Sequence, residues 1–192
     1  MSTMYEEFFQ RMSKTRNETG ENLKKPYNAM DVANFLVDFF NKKGTPITNI
    51  MLLKILYYLQ AFYLTHDKKL FVENIEKWGY GPVVPVVYSY FKDNGAATIT
   101  KTESYVVKND DELLLLDPSM RKLDEADEKK ISWIANKIFE RYHNNPFELV
   151  EVTHREPMWS ESKEDILNGE HHIQYSESEI ISYFEKGTNW PW

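Results

Sequence analysis

A chain of 192 residues, 42% hydrophobic and 15% aromatic, is long enough to bury one substantial core and short enough to be read as one domain with a small appendage. It has no cysteine, which excludes a disulfide framework and thiolate chemistry and agrees with a reducing cytosol. The net charge of −7 argues against direct nucleic-acid binding, which needs clustered Lys and Arg for phosphates. The surplus is uneven: residues 151–186 carry nine acidic and three basic side chains, an acidic stretch suited to a basic protein partner. The N-terminus lacks the basic-then-apolar order of a signal peptide. The most apolar run, Ile50 to Leu64, carries Lys54 and Gln60 and is shorter than the about 20 residues of a spanning helix. A cytoplasmic protein with no membrane partner is expected.

Residues 1–26 read as an N-terminal appendage: Tyr5, Phe8, Phe9 and Met12 recur at helical spacing, and a polar linker containing Gly20 follows. The main domain is expected over 27–187, with 188–192 as a tail. Val32, Phe35, Leu36, Phe39 and Phe40 line one face of a first helix, which Gly44 and Pro46 stop. Thr48 is placed to cap a second helix over Asn49 to Thr65. Apolar on nearly all sides, that helix belongs inside a bundle.

The stretch Trp78-Gly-Tyr-Gly-Pro-Val-Val-Pro85 reads as a shaped turn packed on a core, because its glycines widen and its prolines restrict the backbone. Val83 to Phe91 reads as a third helix, with a strand as the competing reading for its β-branched run. Ile99 to Val107 and Glu112 to Leu116 suggest an irregular insertion or small β-hairpin near 95–117. Asp124-Glu-Ala-Asp127 opens a helix with the buried stripe Ile131, Ile134, Ala135, Ile138, Phe139 and Tyr142. Asn145-Pro146 starts a short helix, with Thr153 and His154 just past its end. A loop to Tyr175 and a last helix capped by Ser176 and Glu179 complete a mostly α, single compact helical domain.

No stretch carries a recognisable catalytic signature. None of the five histidines shows the i, i+4 spacing of a helical zinc site, and no phosphate-cradling glycine loop or nucleophile elbow is present. No metal or cofactor is expected, and the scattered carboxylates read as solvated. Thr153-His-Arg-Glu-Pro-Met-Trp159 is the second dense stretch: His154 is placed to satisfy last-turn carbonyls, and Trp159 to fold onto the core.

Taken in order, Asp31-Val-Ala-Asn-Phe-Leu36, Ile47 to Gln60, Trp78 to Tyr88, Leu149 to Trp159 and Ser176 to Phe184 resemble the Panacea domain of SocA-like antitoxins, also met as GepA-like phage-associated proteins. The resemblance covers about residues 28–185. It implies a helical, non-catalytic protein that neutralises a cognate toxin by direct protein–protein binding, and in one relative delivers the toxin to a cytosolic protease. The 1–26 appendage lies outside the shared pattern, so Tyr5, Phe8 and Phe9 are expected toxin contacts. Trp78, Tyr80, Tyr88, His154 and Trp159 are the candidates on the shared surface. The alternative is a metal- or acid/base-dependent enzyme using His154 and Glu156 near Tyr57 or Tyr58.

Overall fold

The computed structural model describes residues 23–66, 68–109 and 112–192. Its helices are α1 (Ala29–Lys42), α2 (Asn49–His66), α3 (Pro85–Phe91), α4 (Glu125–Tyr142), α5 (Phe147–His154), α6 (Pro157–Ser160), α7 (Lys163–Leu167) and α8 (Glu177–Phe184). Two antiparallel hairpins interrupt them: β1 (Glu76–Trp78) with β2 (Gly81–Val83), and β3 (Tyr105–Asn109) with β4 (Glu112–Leu116). The mostly α expectation with a small hairpin insertion holds. Among the described residues, no helix is long and apolar enough to cross a membrane.

Helix α2 is the axis of the fold because its sequence offers no polar face to water. Leu52, Ile55, Leu56, Tyr57, Tyr58 and Leu59 are all fully buried, and α1, α3, α4, α5, α8 and β2 pack around them. Each such side chain contributes about 1.5–3 kcal/mol through burial. The flanking helices are one-sided, as their stripes require: Val32, Leu36 and Phe40 of α1 and Ile131, Ile134 and Ile138 of α4 face inward. Helix α1 stops where Gly44 takes φ +71, a left-handed turn open to glycine. Thr48 Oγ1 accepts from the Met51 amide at 3.4 Å at the start of α2, and Ser176 with Glu179 forms a complete capping box on α8. Beyond α8, Trp190 stacks on Phe184 with centroids 4.6 Å apart, and the Tyr142 hydroxyl donates to the Pro191 carbonyl at 2.7 Å.

Two polar side chains, one from α2 and one from α1, hold loops by their main chain. The buried Gln60 amide oxygen accepts from the Leu70 and Phe71 amides (2.9 and 3.1 Å), and its nitrogen donates to the Phe71 carbonyl (3.0 Å). From α1, Asn34 brackets Glu103 in the same way, with both bonds 2.9 Å.

Several expectations are corrected. The valine run divides: Gly81–Val83 is strand, Val84 is extended, and the helix begins at Pro85, whose missing N–H suits a first helical position. Helix α5 begins one residue later than expected, with Pro146 as its cap, and continues through His154, so Thr153 and His154 lie in its last turn. The expected loop to Tyr175 contains α6 and α7, whose one to two turns are too short to show a period in sequence. Four carboxylates read as solvated are buried: Asp31, Glu76, Asp127 and Glu156. Asp31 accepts two bonds from Arg121 (2.9 and 2.8 Å) and one from the Tyr105 hydroxyl (2.7 Å), which ties the base of the β3–β4 hairpin to α1. Asp127 accepts from Tyr27, Tyr63 and Lys25, and these partners hold its carboxyl below the usual range against the opposing effect of burial.

Candidate functional site

Lys54 enters the core from α2 with 1% of its surface exposed. Its ammonium has no water to solvate it, so it must find acceptors in the protein. It finds them in the β1–β2 turn: Nζ donates to the Tyr80 carbonyl at 2.5 Å and the Pro82 carbonyl at 3.1 Å. Burial pulls its pKa down to about 7, with Glu156 acting the other way. One lysine therefore grips both sides of Gly81. That residue has φ +87, and a Cβ there would lie 2.5 Å from Thr153 Oγ1 and 3.2 Å from Lys54 Nζ. Only glycine satisfies both the angle and the close approach.

Beside Lys54 lies Glu156, 1% exposed. It is the N-cap residue of α6, but its side chain turns inward and accepts from the hydroxyls of Tyr57 (2.5 Å) and Tyr58 (3.1 Å). Burial pushes its carboxyl up to about 8, against the two phenol bonds and the charge of Lys54. Tyr175 closes the cluster, its ring centroid 5.3 Å from that of Tyr57 and its pKa driven up by burial.

Over this cluster lies an aromatic layer. Trp78 donates its indole N–H to Glu76 at 2.8 Å and meets Tyr88 edge-on, with centroids 5.0 Å apart. The Trp78 carbonyl accepts from Trp159 Nε1 at 2.9 Å, and His154 stacks on the Trp159 ring at 3.6 Å. Burial lowers the His154 pKa, and the nearby charge of Lys54 lowers it further. Contrary to expectation, His154 makes no hydrogen bond to the last carbonyls of its helix; its ring meets the Gly79 backbone instead, which partly offsets the lowering of its pKa.

Tyr80 differs from these supports. At the tip of the turn it is 65% exposed, and its ring meets the edge of Phe147, itself 54% exposed, at 6.3 Å. Here two adjacent aromatic rings face solvent, Tyr80 from a turn whose carbonyls Lys54 holds from beneath and Phe147 from the start of α5.

The structure thus brings together Trp78, Tyr80, Tyr88, His154 and Trp159 around one turn, with Trp159 buried and Trp78, Tyr88 and His154 half-buried. Tyr5, Phe8 and Phe9 lie outside the described residues. Sequence reasoning missed Phe147 as a surface partner and Lys54 as the organiser. The available signal was the charge of Lys54 within an otherwise apolar helix. For the alternative enzymatic reading, Glu156 does meet Tyr57 and Tyr58, but the carboxylate is closed to solvent and both its oxygens are occupied. A groove of about 400 Å³ on the outer side of the hairpin, lined by Trp78, Gly79, Ile166 and His172, does not include it. No group of three or more metal-ligating side chains occurs among the described residues.

Residues 52–160 match the family described as antitoxin SocA-like, Panacea domain. A stretch of 69 residues is 39% identical to antitoxin SocA of Caulobacter vibrioides (strain NA1000 / CB15N), covering 35% of this chain and 37% of that relative's length. No solved structure matches. The family match takes in Lys54, Tyr57, Tyr58, the whole β1–β2 hairpin, Glu156 and Trp159, and it spans more than half of the chain: the protein belongs to the SocA-like, Panacea-domain antitoxin family.

Proposed function

We propose that the protein neutralises a cognate toxin by direct protein–protein binding, and that the Tyr80–Phe147 face is a principal contact. The observation behind this reading is the exposed aromatic pair formed by Tyr80, on a turn held by Lys54, and Phe147, at the start of α5. Interfaces draw most of their strength from a few rigid aromatic anchors, which lose little entropy on binding. Trp78, Tyr88, His154 and Trp159 serve as the base that positions Tyr80, and Tyr5, Phe8 and Phe9 add contacts from the appendage. The acidic residues of 151–186 steer a basic toxin and raise its association rate. The neutralising step is occlusion of the toxin; no chemistry passes through the sealed Glu156.

Co-expression with the toxin encoded by the neighbouring gene tests this. The wild-type chain restores growth and copurifies with the toxin. The double variant Tyr80→Ala with Phe147→Ala keeps its melting temperature and loses affinity by about 30-fold or more, as removal of a hot spot of about 2 kcal/mol requires. Full neutralisation by the folded double variant overturns the assignment of this face. Absence of any toxic neighbour overturns the reading itself. A toxin that disappears from protease-competent cells but accumulates in protease-deficient ones adds delivery to occlusion.

A further inference from the structure

We propose that the open edge of β4 is a self-association site, at which two copies of this chain pair as antiparallel strands about a twofold axis through Leu114. The argument begins with backbone direction. In the β3–β4 ladder Val106 stands opposite Leu115, and Lys108 opposite Leu113. The Val106 amide donates to the Tyr90 hydroxyl at 3.0 Å, so it points away from β4. Val106 and Leu115 are therefore a non-hydrogen-bonded pair, as are Lys108 and Leu113 two residues on. It follows that Leu113 and Leu115 turn their N–H and C=O groups outward. Among the described residues, no hydrogen bond engages those four groups.

Edges of this kind are ordinarily protected by charge, proline or a bulge. Here residues 113–116 are four consecutive leucines. Leu113 is 56% exposed, Leu115 39%, and Val106, beside Leu115, 45%. Tyr90 occupies the far edge of the hairpin, and the Asp31 bonds to Tyr105 and Arg121 hold its base. The strand is thus ordered in advance, with one side unpaired among the described residues.

A second copy fits this edge because the edge is complementary to itself. With the axis at Leu114, Leu113 of each copy faces Leu115 of the other. Both carry outward peptide groups, so four reciprocal hydrogen bonds form and none of the four groups is left over. Glu112 falls opposite Leu116 of the other copy, so the two carboxylates sit at opposite ends. Shifting the register by one residue sets outward groups against inward ones. Five paired residues bury far less than the about 1,200 Å² of a stable interface, and two bodies of charge −7 repel. The dimer is therefore transient, concentration-dependent and strengthened by salt.

Sedimentation equilibrium on the full chain, at rising concentration and at two salt levels, tests the proposal. The expected weight-average mass climbs from that of a monomer towards twice that value, further at higher salt. Exchange of the Leu113 and Leu115 amides slows in parallel. Leu113→Lys with Leu115→Lys places like charges opposite each other twice and abolishes association; Leu113→Lys with Leu115→Glu places opposite charges there and restores it. Both pairs of substitutions sit on exposed positions, and their fold is checked by thermal melt. A monomer at every concentration, a dimer whose two amides still exchange freely, or equal behaviour of the two charge variants overturns the proposal. So does protection of these amides only when toxin is added, which would make the edge a toxin site.

Discussion

Replacing Gly81 by alanine probes the grip of α2 on the turn. The backbone there has φ +87, where an L-residue costs about 1–2 kcal/mol. The new methyl would lie 2.5 Å from Thr153 Oγ1 and 3.3 Å from Lys54 Cε. Thr153 is fully buried and donates to the Val150 carbonyl at 2.9 Å, so it cannot swing away without losing that bond. Overpacking of this kind costs about 1–3 kcal/mol. Reduced freedom of the unfolded chain returns about 0.4–1 kcal/mol. The net expectation is a loss of about 1–4.5 kcal/mol, read from the urea midpoint at constant m-value. Gly79→Ala is the internal control. A Cβ there meets nothing within 4 Å, so the change stays within about 0.5 kcal/mol. Adding Thr153→Ala to Gly81→Ala removes the clash but not the strained angle, so the pair couples favourably by about 1–2 kcal/mol. A Gly81→Ala chain as stable as the wild type would refute both the close approach and the locked turn built on it.

Three further outcomes follow from the buried polar groups. Gln60→Leu strands two amides and a carbonyl of residues 70–71 and should cost about 3–5 kcal/mol in chemical denaturation; a loss below about 1 kcal/mol would show that the loop finds other partners. Arg121→Met leaves Asp31 buried without its cation and should cost about 3–5 kcal/mol, with faster amide exchange in β3; unchanged exchange would contradict the clamp. For Glu156, the folded carboxyl holds its proton to about pH 8 while the unfolded one releases it near 4.5. Stability should therefore fall as pH rises from about 4.5 to about 7, by at most about 1.4 kcal/mol per unit. Above about 7 the folded Lys54 loses a proton that the unfolded lysine keeps to 10.5, and stability climbs again. Glu156→Gln removes only the falling limb, and parallel profiles for variant and wild type would disprove that assignment.

Much of the fold was legible because its helices are long and its punctuation is explicit. The nearly all-apolar α2, the inward stripe of α4 and the Ser176–Glu179 box each state their role locally. The short helices α6 and α7 were not legible, since one or two turns leave no period to detect. At the site, the density of Trp, Gly and Pro over 78–85 marked the turn. What stayed hidden was pairing across long sequence distance: Lys54 with the Tyr80 carbonyl, Glu156 with Tyr57, and Tyr80 with Phe147. A carboxylate looks the same in sequence whether water or two phenols surround it, so Glu156 could be named but not recognised as sealed.

Gln60, Asn34 and Lys54 share a habit: each reaches from a helix to a loop and bonds its peptide groups, not its side chains. Such contacts specify the path of a loop and are indifferent to most of its residue identities. The helices therefore act as a jig for residues 70–71, 80–82 and 103. Substitutions at outward-facing loop positions, Tyr80 among them, can alter what the surface recognises while the loops keep their course. On the proposed toxin-binding role of Tyr80, stability and partner choice are written on separate residues, and each can change without the other.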